Sequence, residues 1–329
     1  MHRIRTALIA CALVLLAVSA AQASIDNTVH KTFNVTEGGT LIIDTDLGDI
    51  RVDPGAGGGV SIDVIRRAKT SSQSKANDLF KQFDLAFGQE GNNVRVTGKY
   101  DHAFRWFDLF GNDLDVKFVV TVPSRYNVQL GTSGGDIHVG DLNGEVHAKT
   151  SGGDLDLGHI GGVVEARTSG GDVNINGARA AITLSTSGGD VAVGDAASTV
   201  SARTSGGDIV VKRVAGNLAA HTSGGSITIG EAHGTIDAST SGGSIQAHMA
   251  QRPGGESTLK TSGGGITLTV ASNVAIDLDA HTSGGDIETD VPVTLLGKQS
   301  DSTLNGKLNG GGPRVVLRTS GGDIRLRKM

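Results

Sequence analysis

The stretch TSGGDVNINGARAAITLS, residues 168–185, is one copy of a repeat that runs through most of this chain. Its first four letters, Thr-Ser-Gly-Gly, recur with a constant 18-residue period at Thr132, Thr150, Thr168, Thr186, Thr204, Thr222 and Thr240, and return at Thr261, Thr282 and Thr319. Repetition at a fixed period of this length is typical of a solenoid, in which each repeat is one coil stacked on the previous coil. Each coil is numbered below from its Thr as position 1.

The hydrophobic residues of each coil recur at fixed positions. Positions 6 and 8 are aliphatic in the regular coils, as in Val173 and Ile175, and positions 15 and 17 form a second apolar pair, as in Ile182 and Leu184. Residues two apart in an extended chain face the same side, so both pairs must face inward. Each coil is therefore predicted to have two clear strands and a looser third side.

These patterns predict an all-β fold, a single-stranded β-solenoid with 18-residue coils. Stacked strands lie ~4.8 Å apart, so ten to thirteen coils would form a rod of about 50–60 Å. Parallel crossover connections are overwhelmingly right-handed, which favours a right-handed solenoid. A left-handed hexapeptide helix is disfavoured, because its aliphatic residue at every sixth position is missing here.

The Thr-Ser-Gly-Gly-Asp segment is predicted to form a corner of each coil. Strand alternation turns its Thr inward, where hydroxyls bonded to the Thr above and below would make a buried ladder. The paired glycines are expected to provide backbone angles that other residues avoid. The structural ladder comprises Thr132, Thr150, Thr168, Thr186 and Thr204 with Asp136, Asp154, Asp172, Asp190 and Asp208.

The row of Asp side chains allows three interpretations. In the first, each Asp caps free N–H groups of its own corner, and the basic residues at position 18 neutralise the row. Those residues are Lys149, Arg167, Arg203, His221, Lys260, His281 and Arg318. In the second, carboxylates ~4.8 Å apart hold a file of Ca²⁺ ions. In the third, a pair of them catalyses glycoside hydrolysis, although any Asp ladder would produce that separation.

The N-terminal part is predicted to be a cap on the solenoid. All aromatic residues lie at or before Tyr126. Strands are expected at 40–44, 60–65, 93–98 and 115–122, and the one helical pattern runs from Ser71 to Phe87. The aromatic cluster Phe104, Trp106, Phe107 and Phe110 is interpreted either as a lid over the first coil or as an exposed interaction surface for sugars or proteins.

The C-terminal part departs from the 18-residue period. The step from Thr282 to Thr319 is about twice the regular one, and Thr303 to Leu308 is interpreted as a degenerate coil within it. The last strand ends with Arg325, Arg327 and Lys328. Charges on an exposed edge would discourage end-to-end stacking of rods.

The segment 1–23 resembles a secretory signal peptide. Arg3 and Arg5 precede an apolar run from Ala7 to Ala20, followed by a small-residue cleavage site. The expected domains are 1–23, signal peptide; 24–131, N-terminal cap and first degenerate coils; and 132–329, the Thr-Ser-Gly-Gly solenoid. Loss of Arg3 and Arg5 with the leader shifts the formal net charge from −5 to −7.

Composition and charge narrow the classes of partner. No basic patch for nucleic acid is indicated, and no other apolar run approaches the ~20 residues of a membrane-spanning helix. Cys11, the only cysteine, lies inside the leader, where the residues Leu8 to Cys11 also fit the sequence pattern of a lipoprotein cleavage site. We therefore expect export to the periplasm, the cell envelope or the extracellular space of a bacterium.

Several motifs resemble the bacterial "putative adhesin" domain of unknown function. They are the T-x-x-G-D-I units at Thr45 and from Thr132 onward, Val122-Pro123, and the segment from Asn305 to Gly312. The likeness extends from about Thr40 to the end of the chain. It implies a β-solenoid at the bacterial cell envelope, and it brings no catalytic residues with it.

The sequence favours a non-enzymatic β-solenoid that acts as an adhesin-like or scaffold protein, with multivalent contacts to a surface polysaccharide or an envelope protein. No catalytic or cofactor-binding set is recognised, and the histidines fall at different coil positions, so they do not stack into a metal site. Two alternatives stay open. One is a β-helical enzyme acting on polysaccharides, and the other is a fibre that assembles through its coil ends.

Overall fold

The computed structural model describes residues 24–100, 113–297 and 299–329. Within these ranges the chain forms strands almost throughout, with one short helix, α1 (Gln73–Gln82). The N-terminal strands are β1 (Ile25–Phe33), β2 (Thr40–Thr45), β3 (Asp49–Gly55), β4 (Val60–Ala68), β5 (Phe83–Glu90), β6 (Asn93–Tyr100), β7 (Leu114–Pro123) and β8 (Asn127–Gly131).

The strands of the regular coils follow in alternation. They are β9 (Ile137–Val139), β10 (Val146–Lys149), β11 (Leu155–Ile160), β12 (Val164–Arg167), β13 (Val173–Ala178), β14 (Ile182–Ser185), β15 (Val191–Ala196), β16 (Val200–Arg203), β17 (Ile209–Val214), β18 (Leu218–His221), β19 (Ile227–Ala232), β20 (Ile236–Ser239), β21 (Ile245–Met249), β22 (Ser257–Lys260) and β23 (Ile266–Val270). The C-terminal strands are β24 (Ile276–Thr282), β25 (Ile287–Thr289), β26 (Thr294–Leu295), β27 (Thr303–Leu308), β28 (Arg314–Thr319) and β29 (Ile324–Lys328).

Each regular coil contributes one strand to each of two long sheets, and the strands of the regular coils run parallel within each sheet. The first sheet has the order β1-β4-β7-β3-β9-β11-β13-β15-β17-β19-β21-β23-β29-β25, and the second has the order β26-β27-β24-β28-β22-β20-β18-β16-β14-β12-β10-β8-β2-β6-β5. Val146 pairs with Val164, and Val164 with Ile182, so each coil position lies over the same position of its neighbour. The predicted all-β solenoid is confirmed, and its right-handed sense stays a prediction.

The core is a thin apolar column between the two sheets. Val173, Ile175, Ile182 and Leu184, the apolar residues of one coil, are all at most 3% exposed. Position 11 adds a fifth inward residue, such as Ala178, and the pairing between coils skips position 9. The looser third side of the coil is therefore reduced to positions 12 to 14, residues 179–181 in this coil.

The N-terminal part covers one end of the stack with antiparallel strands. The β2–β3 coil adjoins β8 and β9, while β4 lies antiparallel between β1 and β7. The helix is shorter than predicted, because residues 83–90 form β5, antiparallel to β6. Phe83, Leu85 and Phe87 alternate with exposed residues along β5, a strand pattern that overrides helix formation there. Ser72 caps α1, whose Ala76 and Phe80 are buried.

The C-terminal part is arranged differently from the prediction. β27 lies antiparallel to β24 and is therefore part of a hairpin arm, not a degenerate coil. The long step allows the chain to turn back, so that β28 inserts between β22 and β24, and β29 between β23 and β25. The charged last strand is consequently interior to its sheet. Its Arg325 and Arg327 form ion pairs with Glu288 at 3.2 Å and Asp290 at 2.6 Å.

The edge of the first sheet at this end is β25, a strand of only three residues. Across the residues described above, no helix is both long and apolar enough to cross a membrane.

Candidate functional site

The Thr at position 1 bonds the backbone of the preceding coil. Thr168 is 6% exposed; its Oγ1 donates to the carbonyl of Gly153 at 2.9 Å and accepts from the N–H of Gly171 at 3.4 Å. The same bonds recur at the other ladder residues Thr150, Thr186 and Thr204, while Thr132 donates to Gly48. The predicted Thr-to-Thr bonding is wrong, because side chains ~4.8 Å apart are too distant for a hydroxyl–hydroxyl bond.

The corner glycines are required for space. None of the Thr-Ser-Gly-Gly glycines has a backbone φ in the left-handed region, so the predicted special backbone angles are wrong for these corners. A Cβ on Gly171 would lie 2.2 Å from the carbonyl oxygen of Gly153, whereas one on Gly170 would lie 3.4 Å from its nearest neighbour. The second glycine of each pair therefore lets successive corners stack in van der Waals contact.

The Asp at position 5 caps the next coil. Oδ1 of Asp154 accepts from the N–H of Asp172 at 2.8 Å, and Asp136, Asp172 and Asp190 make the equivalent bond to the coil that follows. Asp208 makes it to Ser226 at 2.7 Å. The predicted capping of its own corner is wrong, because stacking places the amide of the next coil against the carboxylate.

The predicted ion pairs between the Asp row and the basic residues at position 18 are not formed either. Within the described part of the chain, none of these five carboxylates makes an ion pair. The position-18 residues lie on the second sheet, across the Thr-Ser-Gly-Gly corner from the Asp row, and their charges are directed to other partners. Among residues 24–100, 113–297 and 299–329, no group of three His, Cys, Asp or Glu is arranged to hold a metal ion.

The residues at position 18 form a row on the outer face of the second sheet, here called the position-18 row. Register pairing aligns one residue from each of nine consecutive strands, and seven of the nine are basic. In order along the rod they are Lys149, Arg167, Ser185, Arg203, His221, Ser239, Lys260, Arg318 and His281. Stacking therefore brings residues that are far apart in sequence, such as Lys260 and Arg318, into one file.

Three basic residues of the row each have an acidic partner on the same face. Arg167 contacts Glu165 at 2.7 Å, and its hydrogen bond holds the pKa of that carboxyl below the usual value. His221 lies 3.6 Å from Asp237. Arg318 is paired with Asp279.

Arg318 contacts Asp279 at 2.7 Å near the C-terminal end of the row. Partial burial of Asp279 opposes its ionisation, but hydrogen bonds and charge from Arg318 and Arg314 hold its pKa below the ordinary value. This carboxylate is only 19% exposed, so the pair anchors the inserted strand β28 to β24.

Lys149, Arg203 and Lys260 differ from these three. All are exposed, and none forms an ion pair or hydrogen bond through its side chain with any described residue. Their same-face neighbours at position 16 are His147, Ser201 and Thr258, so no acid stands beside them on their own strands.

An open groove of about 730 Å³ lies at the N-terminal end of the position-18 row. Its lining includes Arg95, Gln129, His147 and Lys149 and, paired with Lys99 and Arg167, the acids Asp44 and Glu165. Gly131 occupies the row position before Lys149, and even an added Cβ would meet only a carbonyl oxygen at 3.8 Å. The missing side chain thus leaves the groove open beside Lys149.

Sequence reasoning missed this groove. It depends on β6, β2 and β8 lying parallel in the same sheet, which the degenerate N-terminal sequence does not reveal. One signal was available: Gly131 lies one full repeat before Lys149 and so shares its coil position. The predicted aromatic surface, Phe104, Trp106, Phe107 and Phe110, lies outside the described residues.

Comparisons with solved structures return proteins of low sequence identity. A "putative adhesin" from Bacteroides fragilis is 12% identical, with 92% of this chain and 97% of that chain covered and a TM-score of 0.33. A "putative cell adhesion protein" from Clostridium sporogenes is 7% identical, with 93% and 100% covered and a TM-score of 0.27. A "putative lipid binding protein" from Parabacteroides distasonis is 12% identical, with 92% and 97% covered and a TM-score of 0.29.

No curated protein matches the chain. The sequence profile of the family described as Toastrack DUF4097 matches residues 39–327, which covers the N-terminal coils, the regular repeats and the inserted C-terminal strands. This match confirms the resemblance seen in the T-x-x-G-D-I units. The chain belongs to the Toastrack DUF4097 family.

Proposed function

We propose that this protein is a non-enzymatic, adhesin-like or scaffold component of the bacterial cell envelope. It binds a surface polysaccharide or an envelope protein through many individually weak contacts. The observation that carries the proposal is the register of the coils, which repeats the same outward positions about every 4.8 Å through the regular coils.

A rigid repeating surface suits a repeating partner. After the first contact forms, the next contact is intramolecular, so avidity accumulates without a deep pocket. The bonds from Thr168 to Gly153 and from Asp172 to Asp154 recur from coil to coil, which fixes the spacing of the outward side chains before a ligand arrives. Little ordering entropy is then lost on binding.

The Asp row has a structural explanation that makes a catalytic role unnecessary. One oxygen of each carboxylate is occupied by the amide of the next coil, and the arrangement is the same in five successive coils. A glycosidase needs two carboxylates in different environments, so that one is protonated and the other ionised. Identical neighbours do not provide that difference.

Export is part of the proposal. The basic start at Arg3 and Arg5, the apolar run from Ala7 to Ala20 and the small residues that follow support secretion across the inner membrane. The mature protein would then act in the periplasm or outside the cell.

The experiment removes whole coils without changing register. Deleting residues 168–185 joins Arg167 to Thr186 and leaves an intact repeat, while duplicating the same segment lengthens the rod. We expect binding to the polysaccharide fraction of the producer's envelope to weaken on deletion and strengthen on duplication. The thermal midpoint of each variant checks that it is folded.

Binding that does not depend on coil number would contradict the multivalent mechanism, because it would indicate one local site. Release of reducing sugar ends from the same fraction by the purified protein would contradict the non-enzymatic assignment.

A further inference from the structure

We propose that Lys149, Arg203 and Lys260 form a binding file for a linear acidic polysaccharide whose charges are sparse. This inference rests on the proposed function and specifies the chemistry of its partner. Its basis is that these three are the lysine and arginine residues at position 18 left without an ion pair among the described residues, and that all three are exposed on one face.

The three cations are equally spaced. β10, which carries Lys149, is three strands from β16, which carries Arg203, and β16 is three strands from β22, which carries Lys260. At ~4.8 Å per strand, successive cations lie about 14 Å apart, and the outer two about 29 Å apart. In the sequence the second interval is longer than the first, because the coil before Lys260 contains an insertion. Stacking restores the equal spacing.

The residues between the cations repeat with the same three-coil period. Each unpaired cation is followed by a basic residue that has its own acid, Arg167 with Glu165 and His221 with Asp237. A serine comes next in both cases, Ser185 and then Ser239. A ligand on this face therefore meets one lysine or arginine without an ion pair every third coil, with serine hydroxyl groups between these cations to bond its neutral part.

The spacing favours a sparsely charged polymer over a dense one. Double-stranded DNA carries one charge per ~1.7 Å, so most of its phosphates would find no cation on a file with one every ~14 Å. The chain also has a net charge of −5, and the exposed Asp row lies across the corner from the file. Both repel a dense polyanion over distances up to a Debye length. A polysaccharide with one acidic group per several sugars keeps each charge near a cation and the neutral sugars near hydroxyls.

The groove next to Lys149 gives the file a defined end. Gly131 leaves the row position before Lys149 without a side chain, and Arg95 lines the same groove. Asp44 lies beyond Gly131 in the row, where it is held by Lys99 at 2.9 Å. The polymer can extend over Gly131 toward Arg95 without meeting an uncompensated acid in the row.

The test uses the full mature chain and a graded series of carboxymethyl dextrans, from unsubstituted to heavily substituted. Binding is measured by biolayer interferometry at one fixed ionic strength, with double-stranded DNA and polyphosphate as dense polyanions. We expect the sparsely substituted dextran to bind and unsubstituted dextran not to bind. The triple variant Lys149→Gln, Arg203→Gln, Lys260→Gln should bind the sparse polymer at least about tenfold more weakly, since each exposed pair contributes modestly.

A matched control removes three positive charges from other surfaces. Lys31→Gln, Arg179→Gln and Lys212→Gln make the same change in net charge at exposed positions outside the row, and this triple variant should retain binding. The thermal midpoints of both triple variants show whether either change affects folding.

A second variant tests the spacing itself. Ser185→Arg combined with Arg203→Ser keeps the charge and the number of row cations, but changes the two intervals from three and three strands to two and four. We expect this variant to bind the sparse polymer more weakly than the wild type and about as weakly as Arg203→Ser alone.

Equal loss in the row and control triple variants would overturn the proposal, and so would an unaffected spacing variant. Tighter binding of DNA or polyphosphate than of sparse dextran would also overturn it and reassign the file to dense polyanions. If wild-type protein ignores carboxymethyl dextran while its binding to the envelope fraction still depends on coil number, this inference fails and the proposed function stands.

Discussion

Replacing Gly189 by Ala should destabilise the rod far more than replacing the adjacent Gly188. A Cβ on Gly189 would lie 2.2 Å from the carbonyl oxygen of Gly171 and 2.4 Å from Oδ1 of Asp172. That Oδ1 also accepts the N–H of Asp190 at 2.7 Å. The methyl group therefore collides with the backbone of the preceding coil and with the acceptor that joins the two coils.

The expected cost follows from these contacts. Overpacking of a dense interior costs about 1–3 kcal/mol, and a disrupted hydrogen bond that leaves an amide without a partner adds about 1 kcal/mol. We expect Gly189→Ala to lower the free energy of unfolding by about 2–4 kcal/mol, equivalent to roughly 3–6 °C in Tm for a chain of this size.

Gly188→Ala is the matched control. Its Cβ would lie 3.2 Å from the carbonyl oxygen of Gly170, a tight contact that a small shift relieves. Alanine also reduces the entropy of the unfolded chain, worth about 0.4–1 kcal/mol in the opposite direction. The net effect should stay within about 1 kcal/mol.

Urea denaturation followed by circular dichroism measures both variants. Because long repeat arrays need not unfold in one step, hydrogen exchange at the amides of residues 186–203 shows whether the loss is local. Equal effects of the two substitutions would refute the argument that close stacking, and not backbone conformation, requires the second glycine.

Three further predictions concern the same ladder and the C-terminal end. Thr204→Val removes the hydroxyl that donates to Gly189 at 2.8 Å and should lower stability by about 1–2 kcal/mol by urea denaturation, whereas Thr204→Ser should cost less; equal losses would show that only the methyl group matters. Asp172→Asn keeps an oxygen acceptor and relieves repulsion between neighbouring carboxylates, so its free energy of unfolding should equal or exceed that of the wild type. Asp172→Ala should lower the free energy of unfolding by about 1 kcal/mol. The reverse order of stability would argue for a bound cation. Asp279→Asn should lower Tm at neutral pH, because Arg318 and Arg314 hold the pKa of this carboxyl below its usual ~4. That stabilisation is present above pH ~4 and is lost as pH falls through the lower folded value, so the Tm difference should shrink on acidification; a constant difference would refute the assignment.

The 18-residue period made the regular coils predictable. Period-two alternation at Val173 and Ile175 identifies the inward face, and a constant repeat length implies that equal positions lie over one another. Both inferences depend only on chain geometry, and they place the Thr and Asp residues of the corner and the position-18 row.

Hydrogen-bond partners were harder to predict than faces. Alternation shows that Thr168 points inward. Whether its hydroxyl bonds the next Thr or the carbonyl of Gly153 depends on differences of about 1–2 Å in the donor–acceptor distance, which a sequence pattern does not specify. For the same reason a pattern does not tell whether Asp154 accepts from its own coil or, as the structure has it, from the following one.

Strand direction was not predictable at the irregular end. Thr303–Leu308 alternates like any coil strand, and the same alternation serves parallel and antiparallel pairing. The insertion of β28 and β29 between other strands follows from the hairpin arm before them, whose turn carries only weak signals.

The inserted C-terminal strands also set an order of assembly. β24 and β25 precede β28 and β29 in the chain, yet they lie outside them in the stack, so their layer cannot reach its final neighbours until the segment from Arg314 to Met329 is available. During synthesis, the growing rod would keep β22 and β23 as its open edge up to that point. A chain truncated before Arg314 would retain those edges unpaired, the condition that favours association between strands of different molecules. Closure by the final strands thus makes completion of the chain a requirement for a protected end.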